Sequence, residues 1–182
     1  MINIPIQSAI DEWTAVLGVS GVSATDTAGF GPSTIGTKRS IPAVLHPTNQ
    51  EQVAKILQIA QRWQVPVYPV STGNNWGYGS ANPVEDGCVI LNLSGLDRIS
   101  DFDPEMGVIT IQPGVTQAAL REFLDENEGD YLVPVTGAGP TCSLLGNALE
   151  RGYGITPITD HFSAVTRITA VLPDGSLYQT SL

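Results

Sequence analysis

Between Ala43 and Val70 the chain runs strand, helix, strand in fewer than thirty residues. Ala43-Val44-Leu45 is a short apolar run closed by Pro47. Thr48 and Glu51 have the spacing of a capping box, which starts a helix there. Val53, Ile56, Leu57, Ala60 and Trp63 then fall on one helical stripe. Pro66 stops the helix, and Val67-Tyr68-Pro69-Val70 reads as the next strand. Such a unit is normally right-handed with parallel strands, so the chain is committed to a layered fold with sheet and helix in contact.

The remaining segments alternate in the same way. Ala9, Trp13, Val16 and Leu17 form a helical stripe that stops at Gly18, and Val19 to Thr37 reads as a long connection. Val89 to Leu93 is a buried strand, and Ile99 to Phe102 with Val108 to Gln112 flank a turn at Asp103 to Gly107. Thr116 can cap a second amphipathic helix that turns Ala119, Leu120, Phe123 and Leu124 inward. A short helix follows over Ser143 to Glu150, then a hairpin of Val165 to Leu172 and Leu177 to Thr180 around Asp174-Gly175. The expected organisation is an N-terminal helix and connection over 1–40, a first α+β lobe over 41–115, and a second over 116–182. That second lobe ends with two or three strands and an open edge, so it reads as incomplete.

Composition narrows the function. Nineteen glycines and thirteen prolines favour loops over a helical bundle. Eighteen acids against eight bases give a net charge of −10, which disfavours nucleic acid and anionic membranes as partners. No apolar run is long enough to span a bilayer and no basic region precedes an apolar one, so a cytoplasmic location is expected. Two cysteines and two histidines are too few for a zinc cluster, and no disulfide framework is indicated.

Two loops are rich in glycine and backbone amides. The first, Ser71 to Ser80, lacks the lysine of a P-loop and any GxGxxG, but successive amides in such a turn can cradle a phosphate. The second, Thr136 to Cys142, enters a helix whose N-terminus could face an anion or a ring carbonyl. Either alone also reads as an ordinary surface loop.

The run PVSTGNNWGYG from Pro69 to Gly79 resembles the pyrophosphate loop of the vanillyl-alcohol oxidase / p-cresol methylhydroxylase flavoproteins. The likeness continues through ITIQPGV (Ile109 to Val115), GNALERGYG (Gly146 to Gly154), TPITDHF (Thr156 to Phe162) and VLPDG (Val171 to Gly175). It is nearest in pattern to the 4-cresol dehydrogenase and vanillyl-alcohol oxidase branch. The resemblance implies an FAD-binding domain of two α+β lobes, the second incomplete and the family's cap domain absent. It implies a first loop that holds the FAD pyrophosphate through Pro69, Ser71, Thr72, Gly73, Asn74, Asn75 and Trp76. Gly137, Gly139, Cys142, Ser143, Gly146 and Asn147 would line the flavin, with Arg151, Gly152 and Gly154 approaching the cofactor and Ile168 at the adenine end.

Two side chains match positions with chemical roles in those relatives. Tyr78 is similar to a tyrosine that binds a substrate phenolate, and Asp160 to an aspartate near flavin N5. The implied reaction is oxidation of a para-substituted phenol or similar small alcohol, with hydride passing to the flavin once a cap is supplied. Competing readings stand beside these. Tyr78 also reads as a packed turn aromatic and Asp160 as a helix or turn cap. His161 reads as a packed or surface histidine, Cys142 as a small buried hydrophobe, and Trp76 as a packing residue. At the level of the whole chain, the rivals are a non-catalytic FAD-binding or partner-binding fragment, pairing with a second copy or another chain through its open edge, and a related oxidase acting on a sugar, hydroxy acid or alkaloid. The chain alone is expected to be inactive.

Overall fold

A computed structural model describes residues 6–23, 38–74, 81–127, 130–133, 135–154 and 160–181. The chain divides into two compact units whose segments interleave. The first comprises Met1–Val70, Asn75–Leu93 and Arg167–Leu182, and the second Ser71–Asn74 and Ser94–Thr166. The C-terminal hairpin clusters with the first unit and the start of the first glycine-rich loop with the second.

In the first unit, α1 (Ile6–Leu17) buries Ala9 and Trp13 and ends at Gly18, whose φ of 76° closes the helix cheaply. It packs on α2 (Gln50–Trp63), and the buried Trp13 indole Nε1–H donates to Ile56 O at 3.1 Å. The cap of α2 lies one residue later than Thr48 and Glu51 suggested. Asn49 Oδ1 accepts the Gln52 N–H at 2.9 Å, and Gln52 Oε1 reaches back to the Thr48 N–H at 2.7 Å. Asparagine caps at least as well as threonine, and Gln52 supplies the reciprocal arm. The buried stripe of α2 is Val53, Ile56, Ile59 and Ala60, which takes in Ile59 where Leu57 was expected.

The sheet runs β1 (Val22–Ser23), β2 (Val44–Leu45), β4 (Val89–Asn92), β3 (Val67–Val70) in spatial order. β2 and β3 are each parallel to β4, so the strand–helix–strand unit is split by a third strand. Val89, Ile90 and Leu91 are all buried, and a strand apolar on both faces belongs in the centre of a covered sheet. Ile41, Val44, Val70, Ala81 and Ile90 form the core around it, with Tyr68 packed alongside. Burial pushes the neighbouring Cys88 thiol up, which keeps it protonated and unreactive.

The hairpin of β7 (Thr169–Val171) and β8 (Leu177–Gln179) turns at Gly175, with φ of 81°. A Cβ there would lie 2.9 Å from Ala54 O of α2. The turn rests on the helix backbone, which is why the hairpin joins this unit.

His46 couples β1 to β4. Asn92 Nδ2 donates to its Nδ1 at 3.4 Å, which leaves the proton on Nε2 to donate to Ser23 Oγ at 2.8 Å. Burial lowers the His46 pKa. A depressed folded-state pKa means the unfolded chain takes up the proton first as pH falls. The His46 contribution is therefore complete above the ordinary value of 6.5 and is lost on acidification from there. Urea midpoints should fall between pH 7.5 and 5.5, and His46→Gln should flatten that slope; an unchanged slope would exclude His46 as its source.

In the second unit, β5 (Ile99–Asp103) and β6 (Val108–Ile111) pair antiparallel with an irregular register between Ser100 and Asp103. Asp101 there has φ of 52°. α3 (Gln117–Asn127) starts as expected, with Thr116 Oγ1 accepting the Ala119 N–H at 3.1 Å. Val115, Leu120, Leu124, Val133 and Leu144 form its core. Phe102 meets Phe123 and Tyr131 edge-on at 5.8 and 5.9 Å. Among the described residues, no helix is long and apolar enough to cross a membrane, and no cluster of three His, Cys, Asp or Glu could hold a metal.

Candidate cofactor site

The second unit brings parts of both glycine-rich loops together. Gly73 takes φ of 75°, so the chain leaving β3 turns where a side chain would be strained. The next residue, Asn74, donates from Nδ2 to Thr141 O at 3.0 Å and Thr141 Oγ1 at 2.8 Å. Thr72 Oγ1 accepts the Ser143 N–H at 3.2 Å. Among the described residues the backbone N–H groups of Thr72 and Gly73 donate to nothing. Two amides in succession at a positive-φ turn can converge on an anion.

The second loop is held by the start of α3. The first N–H groups of a helix have no intrahelical partner. Here Gln117 N and Ala118 N donate to Cys142 O and Pro140 O at 3.0 and 2.9 Å. The buried Gln117 side chain donates to Gly139 O at 2.9 Å and accepts the Thr136 N–H at 2.9 Å. This residue was not foreseen. A polar side chain at the first turn of an amphipathic helix reads as solvated, and only the fold shows what it meets. Within the loop a Cβ at Gly137 or Gly139 would meet nothing within 4 Å.

Ser143 caps α4 (Leu144–Leu149): its Oγ accepts the Gly146 N–H at 3.0 Å and donates to Pro113 O at 2.8 Å. With its N–H on Thr72, Ser143 is fully engaged and 3% exposed. Leu144 N donates to Val115 O at 3.1 Å. These donors serve the fold. Cys142 is buried, as a small hydrophobe would be.

α4 exits through Arg151 in the left-handed region, φ of 51°, a conformation that costs a non-glycine residue roughly 1–2 kcal/mol. The turn aims the guanidinium over the Phe162 ring at 4.6 Å and towards Asp160 Oδ2 at 3.5 Å. Gly152 and Gly154 have no room for a side chain. A Cβ at Gly152 would lie 2.0 Å from Asn147 Nδ2, and one at Gly154 2.3 Å from Val135 O. Tyr153 between them is 77% exposed.

Asp160 caps the 3-10 turn His161–Ala164, with Oδ1 accepting the Ser163 N–H at 3.1 Å. The capping and chemical readings are compatible, because the cap uses one oxygen and Oδ2 faces Arg151. His161 is buried against Asn147. Pro69 in β3 and Ile168 lie in the first unit, where Ile168 N donates to Thr180 Oγ1 and Ile168 O accepts the Thr180 N–H, both at 3.0 Å. Asn75, Trp76 and Tyr78 lie outside the described residues.

This α+β fold, with its two loops, is that of a PCMH-type FAD-binding domain. The chain belongs to the family described as FAD binding domain, whose model matches residues 41–181. It is 36% identical over 178 residues to 1'-carboxy-chondrochloren decarboxylase of Chondromyces crocatus, covering 97% of this chain and 33% of that protein. It is 34% identical over 140 residues to the flavoprotein subunit of 4-cresol dehydrogenase [hydroxylating] from Pseudomonas putida, covering 77% of this chain and 27% of that subunit. A crystal structure of p-cresol methylhydroxylase with substrate bound superposes with a TM-score of 0.91 at 30% identity, over 96% of this chain and 35% of that one. The chain thus spans about a third or less of these proteins.

Proposed function

We propose that this domain holds FAD at the cradle built from Thr72, Gly73 and Asn74 with the Gly137 to Asn147 segment. Together with further polypeptide it serves oxidation of a para-substituted phenol. The observation that carries the reading is the tie between the loops, Asn74 on Thr141 and Thr72 on Ser143, beside two amides that donate to no described residue. The residues fit a dinucleotide: the amides suit a phosphate, and the open space at Gly137 and Gly139 suits a flat ring. FAD, when bound, supplies the acceptor for hydride. The protein positions the substrate and excludes water. Asp160 Oδ2 provides negative charge beside positive charge developing on the substrate, and Tyr78 donates a hydrogen bond that favours the phenolate.

Gly137→Ala separates fold from function. With nothing within 4 Å and no positive φ, the variant should melt like the parent. Its affinity for FAD should fall about tenfold, since 1.4 kcal/mol of steric loss suffices. Flavin retained after desalting and a fluorescence titration measure this. No retention by the parent chain, or equal affinity in the variant, would count against the cradle. In the complete flavoprotein, Tyr78→Phe should weaken phenol binding; unchanged binding and turnover would remove Tyr78 from the site.

A second reading is decarboxylation of a carboxylate-bearing substrate, for which bound FAD would supply the electron acceptor. It is supported by the 36% identity to the chondrochloren decarboxylase and by Arg151, a cation able to meet a carboxylate beside Asp160.

A further inference from the structure

His161 is 8% exposed, and its Nε2 has no hydrogen-bond partner among the described residues. A buried polar atom left unpaired costs stability and calls for a reason. The surroundings of the ring supply one. Its Nδ1 faces Asn147 Oδ1 in α4, and a carbonyl oxygen only accepts. The proton of the neutral ring is therefore on Nδ1, and Nε2 is a bare lone pair. That lone pair lies against the backbone of Gly154, 2.8 Å from where a Cβ would stand. The His161 N–H donates to Gly152 O at 3.0 Å, while Gly152 N donates to Asn147 O at 2.9 Å. Side chain and backbone thus both fasten residue 161 to the exit of α4. The preceding residue is Asp160, whose Oδ1 is taken by the cap and whose Oδ2 faces Arg151.

We propose that His161 is a positioning residue for Asp160: its Nδ1–H bond to Asn147 anchors the 160–164 turn on the end of α4 and so sets where Asp160 Oδ2 stands beside Arg151. The proposal deepens the reading of Asp160 given above and rests on it for its meaning in catalysis. A packing role would need only the volume of the ring. Positioning needs the donor at Nδ1.

Hydrogen exchange and ring-nitrogen NMR of this chain at pH 7.5 distinguish the two. In the parent, His161 should show a protonated Nδ1 and a bare Nε2. The Ser163 amide, which donates to Asp160 Oδ1, reports the turn, and the Leu120 and Leu124 amides of α3 report opening of the whole unit. His161→Leu keeps bulk and removes the donor. Ser163 protection should drop about tenfold while that of α3 is unchanged. His161→Asn places an N–H at the reach of Nδ1 and should restore it; His161→Gln, which reaches as far as Nε2, should not. A proton found on Nε2, or Ser163 protection that is unaltered in His161→Leu or falls only in step with α3, overturns the proposal. Should the Leu variant fail to fold, the parent ring and the Asn and Gln variants decide, and equal Ser163 protection in those two overturns it. None of these readings uses turnover. If Asp160→Asn leaves the complete flavoprotein fully active, the catalytic reading of Asp160 fails while the anchoring result stands.

Discussion

Trp13→Ala should lower stability by about 3–5 kcal/mol, the range for truncating a buried indole. Trp13 has no exposed surface and fills the contact between α1 and α2. Its N–H also satisfies Ile56 O, so truncation leaves a cavity and removes a hydrogen bond. The two helices have separate strands to rest on, so neither can simply collapse into the gap. Urea unfolding followed by far-UV circular dichroism measures the loss. Val19→Ala is the control, because Val19 is 82% exposed and should stay within about 0.5 kcal/mol of the parent. A Trp13→Ala midpoint as close to the parent as that control would show that α1 does not form part of the core.

Gly114→Ala should destabilise the second unit by about 3 kcal/mol, at the upper end of overpacking costs. A Cβ at this position would lie 2.3 Å from Ser94 O and 2.8 Å from Leu96 O. Both are backbone atoms, so no side chain can rotate away. The Gly114 N–H donates to Leu96 O at 2.7 Å, and separating the two segments to admit a methyl breaks that bond. The cause is close approach, since φ at Gly114 is not in the left-handed region. Thermal melting of the variant checks it. A melting temperature equal to that of Gly137→Ala, whose added methyl meets open space, would refute the crowding.

What was legible in the amino-acid sequence was what depends on neighbours along the chain. The stripe of Ala9 and Trp13, the Thr116 cap and the turn at Gly175 each need only local spacing or a local dihedral, and each is present. The resemblance was carried by local motifs too, and the family match covers the stretch where they lie. Even locally, two caps could compete: Thr48 with Glu51 and Asn49 with Gln52 differ by one residue, and the backbone entering α2 chose the second.

Partners distant in sequence were set only by the tertiary structure. Strand order needed β4 to find the centre of the sheet, where its apolar faces are both covered. The C-terminal hairpin joined the first unit because its turn fits the backbone of α2. Gln117 looks like an ordinary polar residue in one dimension, and the sequence does not show what Ser143, Asn147 and His161 bond to. Their roles come from carbonyls and amides brought close by other segments, and a buried polar group takes whichever partner the fold delivers. Periodicity and turn chemistry are properties of a few adjacent residues, so the chain determines them alone; hydrogen-bond satisfaction in a closed core depends on every segment that reaches it.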